Sequence, residues 1–147
     1  MDGVQQFEPK VSVGLFDVIS IPNVGRHYRL LLDRKGRLQV VPIPAAEAGI
    51  KPCKVIGKTM LVGGKMQLNL FDGKNITGAG KAKVGDSVLL ELPSQKVREI
   101  LPLNAGCSVL LIGGKYAGDS GVLRGVQGAQ AEYEHAGKKV STSKEYL

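Results

Sequence analysis

Nowhere in this chain do apolar residues hold a 3.6-residue period over the length of a helix. They recur instead in short or alternating runs between turn signals, the pattern of β-strands. The runs are Val13–Ile21, Tyr28–Asp33, Arg37–Ile43, Lys54–Ile56, Lys65–Phe71, Ser87–Leu92, Val97–Leu101, Cys107–Ile112, Gly121–Val126, Ala131–His135 and Lys139–Thr142. Asp33-Arg34-Lys35-Gly36, Asp72-Gly73 and Gly85-Asp86 mark tight turns between them. One short helix is expected over Pro44–Gly49, where proline suits a first turn and glycine a stop. The pattern predicts a mainly β chain of many short strands, which favours barrels.

The strand pattern breaks once. Pro102 interrupts it and Gly106 restarts it with a new hairpin. We therefore expect a central β-barrel-like domain over residues 13–101 and a small barrel over 102–147. Residues 1–12 are left as a linker with little to pack. The apolar fraction of 43% can build a core. No apolar run approaches the ~20 residues a spanning helix needs. The start, MDGVQQFEPK, lacks the basic flank and apolar stretch of a signal peptide, so a cytoplasmic protein is expected. Cys53 and Cys107 lie far apart with no CxxC partner, so neither a zinc site of usual spacing nor any other metal site is expected.

Charge points to a partner. The formal net charge is +7. Residues 51–100 hold 9 basic and 4 acidic residues, most of the excess. A polyanion is the natural partner, because each neutralised phosphate releases counterions. The same excess would also serve solubility alone.

Leu103–Gly125 carries the clearest functional signal. Two apolar strands flank a loop with Gly113, Gly114, Gly118 and Gly121, where the backbone needs positive φ or close approach. Lys115 and Tyr116 at its tip suit a phosphate and a base or ribose. Arg29, Arg34, Lys35 and Arg37 crowd one end of the Tyr28–Arg37 turn, and arginine forks match phosphate oxygens. Arg124 follows on the second strand of the glycine hairpin. Each group alone would equally suit a solvated hairpin tip. Gly118-Asp119-Ser120-Gly121 spells the surround of a serine-protease nucleophile, but that chemistry needs a histidine and a buried aspartate converging on Ser120. Only His27 and His135 are available.

With Gly106, Val109, Gly113, Gly118, Gly121 and Val122 in place, the hairpin resembles the KOW motif of ribosomal proteins and transcription-elongation factors. Upstream, Val13–Pro22, Tyr28–Leu31, Asp33–Arg37, Lys54-Val55, Phe71–Ile76 and Lys83–Val88 resemble, in order and spacing, the archaeal and eukaryotic small-subunit ribosomal protein of the S-four-e family. That resemblance implies a central β domain followed by an SH3-like KOW barrel. It implies a non-enzymatic structural constituent of the small ribosomal subunit that binds ribosomal RNA beside neighbouring ribosomal proteins, with no cofactor, membrane or small-molecule substrate. Family members carry an N-terminal helical RNA-binding domain of the S-four type. Met1-Asp2-Gly3-Val4 resembles the last hairpin of that domain, residues 1–12 reading as its remnant or linker, and the KOW barrel reads as shortened at its C-terminus.

The reading is an RNA-binding ribosomal protein, with Arg29, Arg34, Lys35, Arg37, Lys115, Tyr116 and Arg124 as expected contacts. A KOW-type protein-interaction module is the alternative, and a hydrolase acting through Ser120 ranks third.

Overall fold

The computed structural model describes residues 1–78, 80–92 and 94–147. It is mainly β, as expected. The chain divides into two compact units, one of Met1–Leu31 and Val40–Pro102, the other of Leu32–Gln39 and Leu103–Leu147.

In the first unit, β1 (Val18–Ile21) pairs antiparallel with β2 (Arg26–Leu32), and β3 (Leu38–Ile43) completes a three-stranded sheet. The turn that connects β2 to β3 belongs to the second unit. The short helix α1 (Ala45–Ala48) follows. A five-stranded sheet comes next, built from β4 (Ile50–Met60), β5 (Met66–Leu70), β6 (Asn75–Thr77), β7 (Ser87–Glu91) and β8 (Lys96–Leu101). Its spatial order is β6-β5-β4-β7-β8. Alternation decides what faces inward: Cys53 and Val55 on β4, Leu68 and Leu70 on β5, Val88 and Leu90 on β7. With Ala82 these form one buried cluster. A bulge between Val55 and Gly57 leaves Ile56 exposed.

Three elements differ from the sequence reading. The run Val13–Ile21 is a strand only from Val18. Before it the chain turns: Phe16 adopts φ +66°, and the Asp17 carboxylate accepts the Gly14 N–H at 2.7 Å. Strand β4 begins at Ile50 rather than Lys54 and runs through Pro52. Over Ile50–Lys54 it pairs with β7 alone, so a residue without an N–H is tolerated beside the unpaired side. Strand β6 is three polar-flanked residues, too short to show a period.

One polar node sits in this unit. Lys51 is buried, and its ammonium donates to Asp17 Oδ1 at 2.6 Å and Asp2 Oδ2 at 3.0 Å, with Asp72 Oδ2 at 3.5 Å. Lys74 flanks Asp2 and Asp72 at 3.7 and 3.8 Å. Burial disfavours the Lys51 charge. The hydrogen bonds to Asp17 and Asp2, with their charges, outweigh it and hold the pKa above its ordinary 10.5. Three remote segments are thereby tied to β4.

The second unit carries β9 (Ser108–Leu110), β10 (Ser120–Gln127), β11 (Gln130–His135) and β12 (Lys138–Ser143), in the order β12-β11-β10-β9. All its pairings are antiparallel. Val109, Leu111, Leu123, Ala131, Tyr133 and Leu147 form its core. Gly121 makes room for it, since a Cβ there would strike the Glu134 carbonyl and the Tyr133 ring. Both cysteines are free thiols.

Candidate nucleic-acid interface

The turn between β2 and β3 is organised by one carboxylate. Asp33 Oδ1 accepts the N–H of Lys35 at 2.6 Å and of Arg37 at 3.1 Å. The backbone closes around it, with Asp33 N–H on Arg37 O at 2.8 Å and Gly36 N–H on Asp33 O at 2.9 Å. The hydrogen bonds to the carboxylate, Arg37's first, lower the Asp33 pKa below its ordinary 3.8. Arg34, Lys35 and Arg37 are thus held outward on a fixed loop, all three exposed.

The glycine loop of the second unit lies against this turn. Gly118, at φ +89°, approaches the Asp33 carbonyl so closely that any Cβ would overlap it, and a Cβ on Gly36 would touch Ala117 at 3.5 Å. Gly118 N–H donates to Leu111 O at 2.8 Å, which shapes the loop. At the loop's start, the Tyr146 ring covers Gly113 and Gly114, leaving 2.8–2.9 Å for a Cβ at either. Between these anchors, Lys115 and Tyr116 are exposed, with Lys115 Nζ 5.5 Å from the Tyr116 ring centroid. Four exposed cations and one aromatic ring therefore stand on two loops whose backbones meet at Gly118 and Asp33.

The other expected contacts are placed differently. Arg29 belongs to the first unit and is only 14% exposed at its side chain. Its guanidinium donates to Ile50 O at 2.5 Å and Glu47 O at 3.0 Å, with Glu47 Oε2 at 3.8 Å. It fastens α1 and the start of β4 to β2. Arg124 sits at the bulge of β10 and forms a close pair with Glu134, its Nε donating to Oε2 at 2.6 Å. It is exposed but has a carboxylate partner. The lysines of the middle third do not act alike, since Lys51 is buried and Lys58 donates to Gly80 O at 3.2 Å.

Tyr146, which backs the glycine loop, is not foreseen by the sequence reading. Its role depends on the fold returning the chain's end to Ile112, whose N–H donates to Tyr146 O at 2.7 Å. His135 Nδ1–H donates to the Ser120 carbonyl at 2.6 Å, so the ring engages the backbone and not the hydroxyl. That contact gives Ser120 no catalytic base.

Strand order, glycine loop and cationic turn define the class: small mainly β proteins that present cations from the turns between strands. The chain belongs to the ribosomal family S4e, whose model matches residues 24–97. The small ribosomal subunit protein eS4 of Archaeoglobus fulgidus is 43% identical over 124 residues, covering 84% of this chain and 52% of that protein. The same-named protein of Methanothermobacter thermautotrophicus is 36% identical over 154 aligned positions, covering all of this chain and 64% of the relative. The chain thus spans about half to two thirds of these relatives' length. The crystal structure of the 30S ribosomal protein S4e from Thermoplasma acidophilum superposes with a TM-score of 0.85 at 26% identity, over 99% of this chain and 76% of that one. Among the described residues, no helix is long and apolar enough to cross a membrane.

Proposed function

We propose that this chain is a structural constituent of the small ribosomal subunit that binds its RNA, in the cytoplasm and beside other ribosomal proteins. It performs no chemistry and takes no cofactor or small-molecule substrate. The names of its relatives support the assignment to the small subunit. One observation carries the RNA contact: Gly118 against Asp33 brings the loop bearing Lys115 and Tyr116 onto the turn bearing Arg34, Lys35 and Arg37. Guanidinium forks and ammonium groups neutralise phosphates there, and Tyr116 offers a stacking face. Recognition is of RNA shape and backbone more than of base edges.

We assign residues 13–101 to the central β domain and 102–147 to the KOW barrel, with 1–12 as the lead-in. Within the expected contact set, Arg29 fastens α1 and β4 to β2 inside the first unit and Arg124 is paired with Glu134, so the other five residues are those that meet RNA. The test is a salt titration of binding to transcribed small-subunit ribosomal RNA. Replacing Arg34, Lys35 and Arg37 by glutamate is expected to weaken binding and flatten the slope of log K against log salt, by roughly 0.7–0.9 for each phosphate no longer neutralised. An unchanged slope, or affinity that survives high salt in the parent chain, would refute the assignment and favour a protein partner.

A further inference from the structure

A second candidate site lies in the first unit. Gly25, at φ +65°, ends the turn Pro22–Val24 and starts β2. Beside it is an open groove of about 410 Å³, lined by Arg26, His27 and Tyr28 of β2 and by Pro42, Ile43, Pro44 and Ala45 of the adjoining segment. That volume falls in the range of small-ligand clefts.

Its wall has three chemical parts. Arg26 and Tyr28 are two residues apart on β2, so they share a face of the sheet. Among the described residues, neither the Arg26 guanidinium nor the Tyr28 hydroxyl has a hydrogen-bond or ionic partner, whereas Arg29 on the same strand donates to the carbonyls of Glu47 and Ile50. His27 is oriented by Ser20, with Nδ1 2.8 Å from the hydroxyl. The adjoining segment, Pro42–Ala45, is apolar and stiffened by two prolines. The nearby Glu47 carboxylate faces Arg29, which balances it.

An aromatic ring, a rigid apolar wall and an unpaired cation at one mouth fit a flat heteroaromatic group that carries an anion. We propose that this groove takes one unpaired nucleotide of a single-stranded RNA segment. The base lies across Tyr28 and the adjoining Pro42–Pro44 segment, and the 5′ phosphate meets Arg26. Stacking on an aromatic face accepts any base, and the bidentate arginine–phosphate contact fixes polarity. A proline-rich peptide would also use a tyrosine and an apolar wall, but it has no anion for Arg26. The inference rests on the RNA-binding reading above and adds a base pocket built from other residues.

The test uses the whole chain and fluorescein-labelled hexauridylate, which forms no secondary structure. The chain has no tryptophan, so Tyr28→Trp places a single indole in the groove. Hexauridylate is expected to quench its emission. Tyr28→Ala is expected to weaken hexauridylate binding about tenfold and Tyr28→Phe to retain it, since stacking needs the ring and not the hydroxyl. Arg26→Gln is expected to lower the salt slope by about 0.7, one phosphate contact on a single strand. Circular dichroism melts verify folding, and the indole signal decides the matter if Tyr28→Ala does not fold. Three outcomes would overturn the pocket. In one, Tyr28→Ala binds like the parent while the Arg34, Lys35 and Arg37 replacements abolish binding; the RNA reading then survives without the groove. In another, decaproline quenches the indole and hexauridylate does not. In the third, the parent chain binds neither hexauridylate nor ribosomal RNA, and both readings fall.

Discussion

Replacing Lys51 by methionine should destabilise the first unit by about 3 kcal/mol. The native ammonium lies within 2.6–3.5 Å of carboxylate oxygens on Asp2, Asp17 and Asp72, and its side chain is 2% exposed. Methionine preserves much of the buried volume, so the loss is electrostatic and not a cavity effect. It leaves three carboxylates facing one another with only Lys74, at 3.7–3.8 Å from two of them, to offset their charge. Removing one partner of a buried ion pair typically costs about 3–5 kcal/mol. The carboxylates are 12–14% exposed and keep some hydration, so the lower end applies. Against a total of roughly 5–15 kcal/mol this is severe, and Tm should fall by roughly 10 °C. Urea titration followed by far-UV circular dichroism and by amide signals of Val55, Leu68 and Val88 reads the first unit directly. The pH dependence supplies a second criterion. A lysine whose pKa is raised by folding stabilises fully below its ordinary 10.5, and that contribution drains away as pH rises through the folded value. The parent chain should therefore become less stable above about pH 10.5, and Lys51→Met should lack that alkaline limb. A double-mutant cycle with Asp17→Asn should give a coupling of at least about 1 kcal/mol. A Lys51→Met chain within about 0.5 kcal/mol of the parent, with the same alkaline limb, would refute the node.

Three further outcomes are expected. Gly118→Ala places a Cβ onto the Asp33 carbonyl at a left-handed φ, so it should destabilise the second unit by about 2 kcal/mol and weaken RNA binding; a neutral melt would contradict the close approach. The Cys53 thiol is pushed up to about 12, by burial first and by Asp72 second, so N-ethylmaleimide at about pH 8 should leave it unlabelled until the chain is unfolded. Rapid labelling of folded Cys53, read by mass spectrometry, would count against its burial. The Tyr133 hydroxyl is buried with no hydrogen-bond partner among the described residues, so Tyr133→Phe should leave stability unchanged or raise it by up to about 1 kcal/mol, and a comparable decrease would reveal a bonded hydroxyl.

Period-two alternation makes most strands legible. Leu68 with Leu70, and Val88 with Leu90, announce their inward faces locally, because burial on one face is written every second residue. Turn chemistry is legible for the same reason: Asp33 and Gly36 specify their loop within a few residues. What stays hidden depends on distant partners. Lys51 reads as one more surface lysine until Asp2, Asp17 and Asp72 arrive from three other segments. Arg29 reads as a free cation until α1 and β4 bring the carbonyls of Glu47 and Ile50 to it. Phe16 looks like strand by hydrophobicity, yet Asp17 turns the chain there.

The candidate patch shows why such partners matter for function. Read as sequence, its two cationic clusters lie far apart in the chain, each as well explained by solvation as by binding. Local chemistry does not choose between those explanations, because an arginine on a turn looks the same in either case. Their junction at Gly118 supplies a reason to choose. A glycine pressed onto a carbonyl at positive φ is a demanding arrangement that a merely soluble hairpin tip does not need. Here it fixes the backbone beneath Lys115 and Tyr116 to the turn beneath Arg34, Lys35 and Arg37. Charges held on two mutually braced loops give up little freedom when a phosphate chain arrives, so more of each interaction remains as affinity. On the proposed RNA-binding reading, the covered Asp33 carbonyl and the exposed cations of the two loops serve one contact.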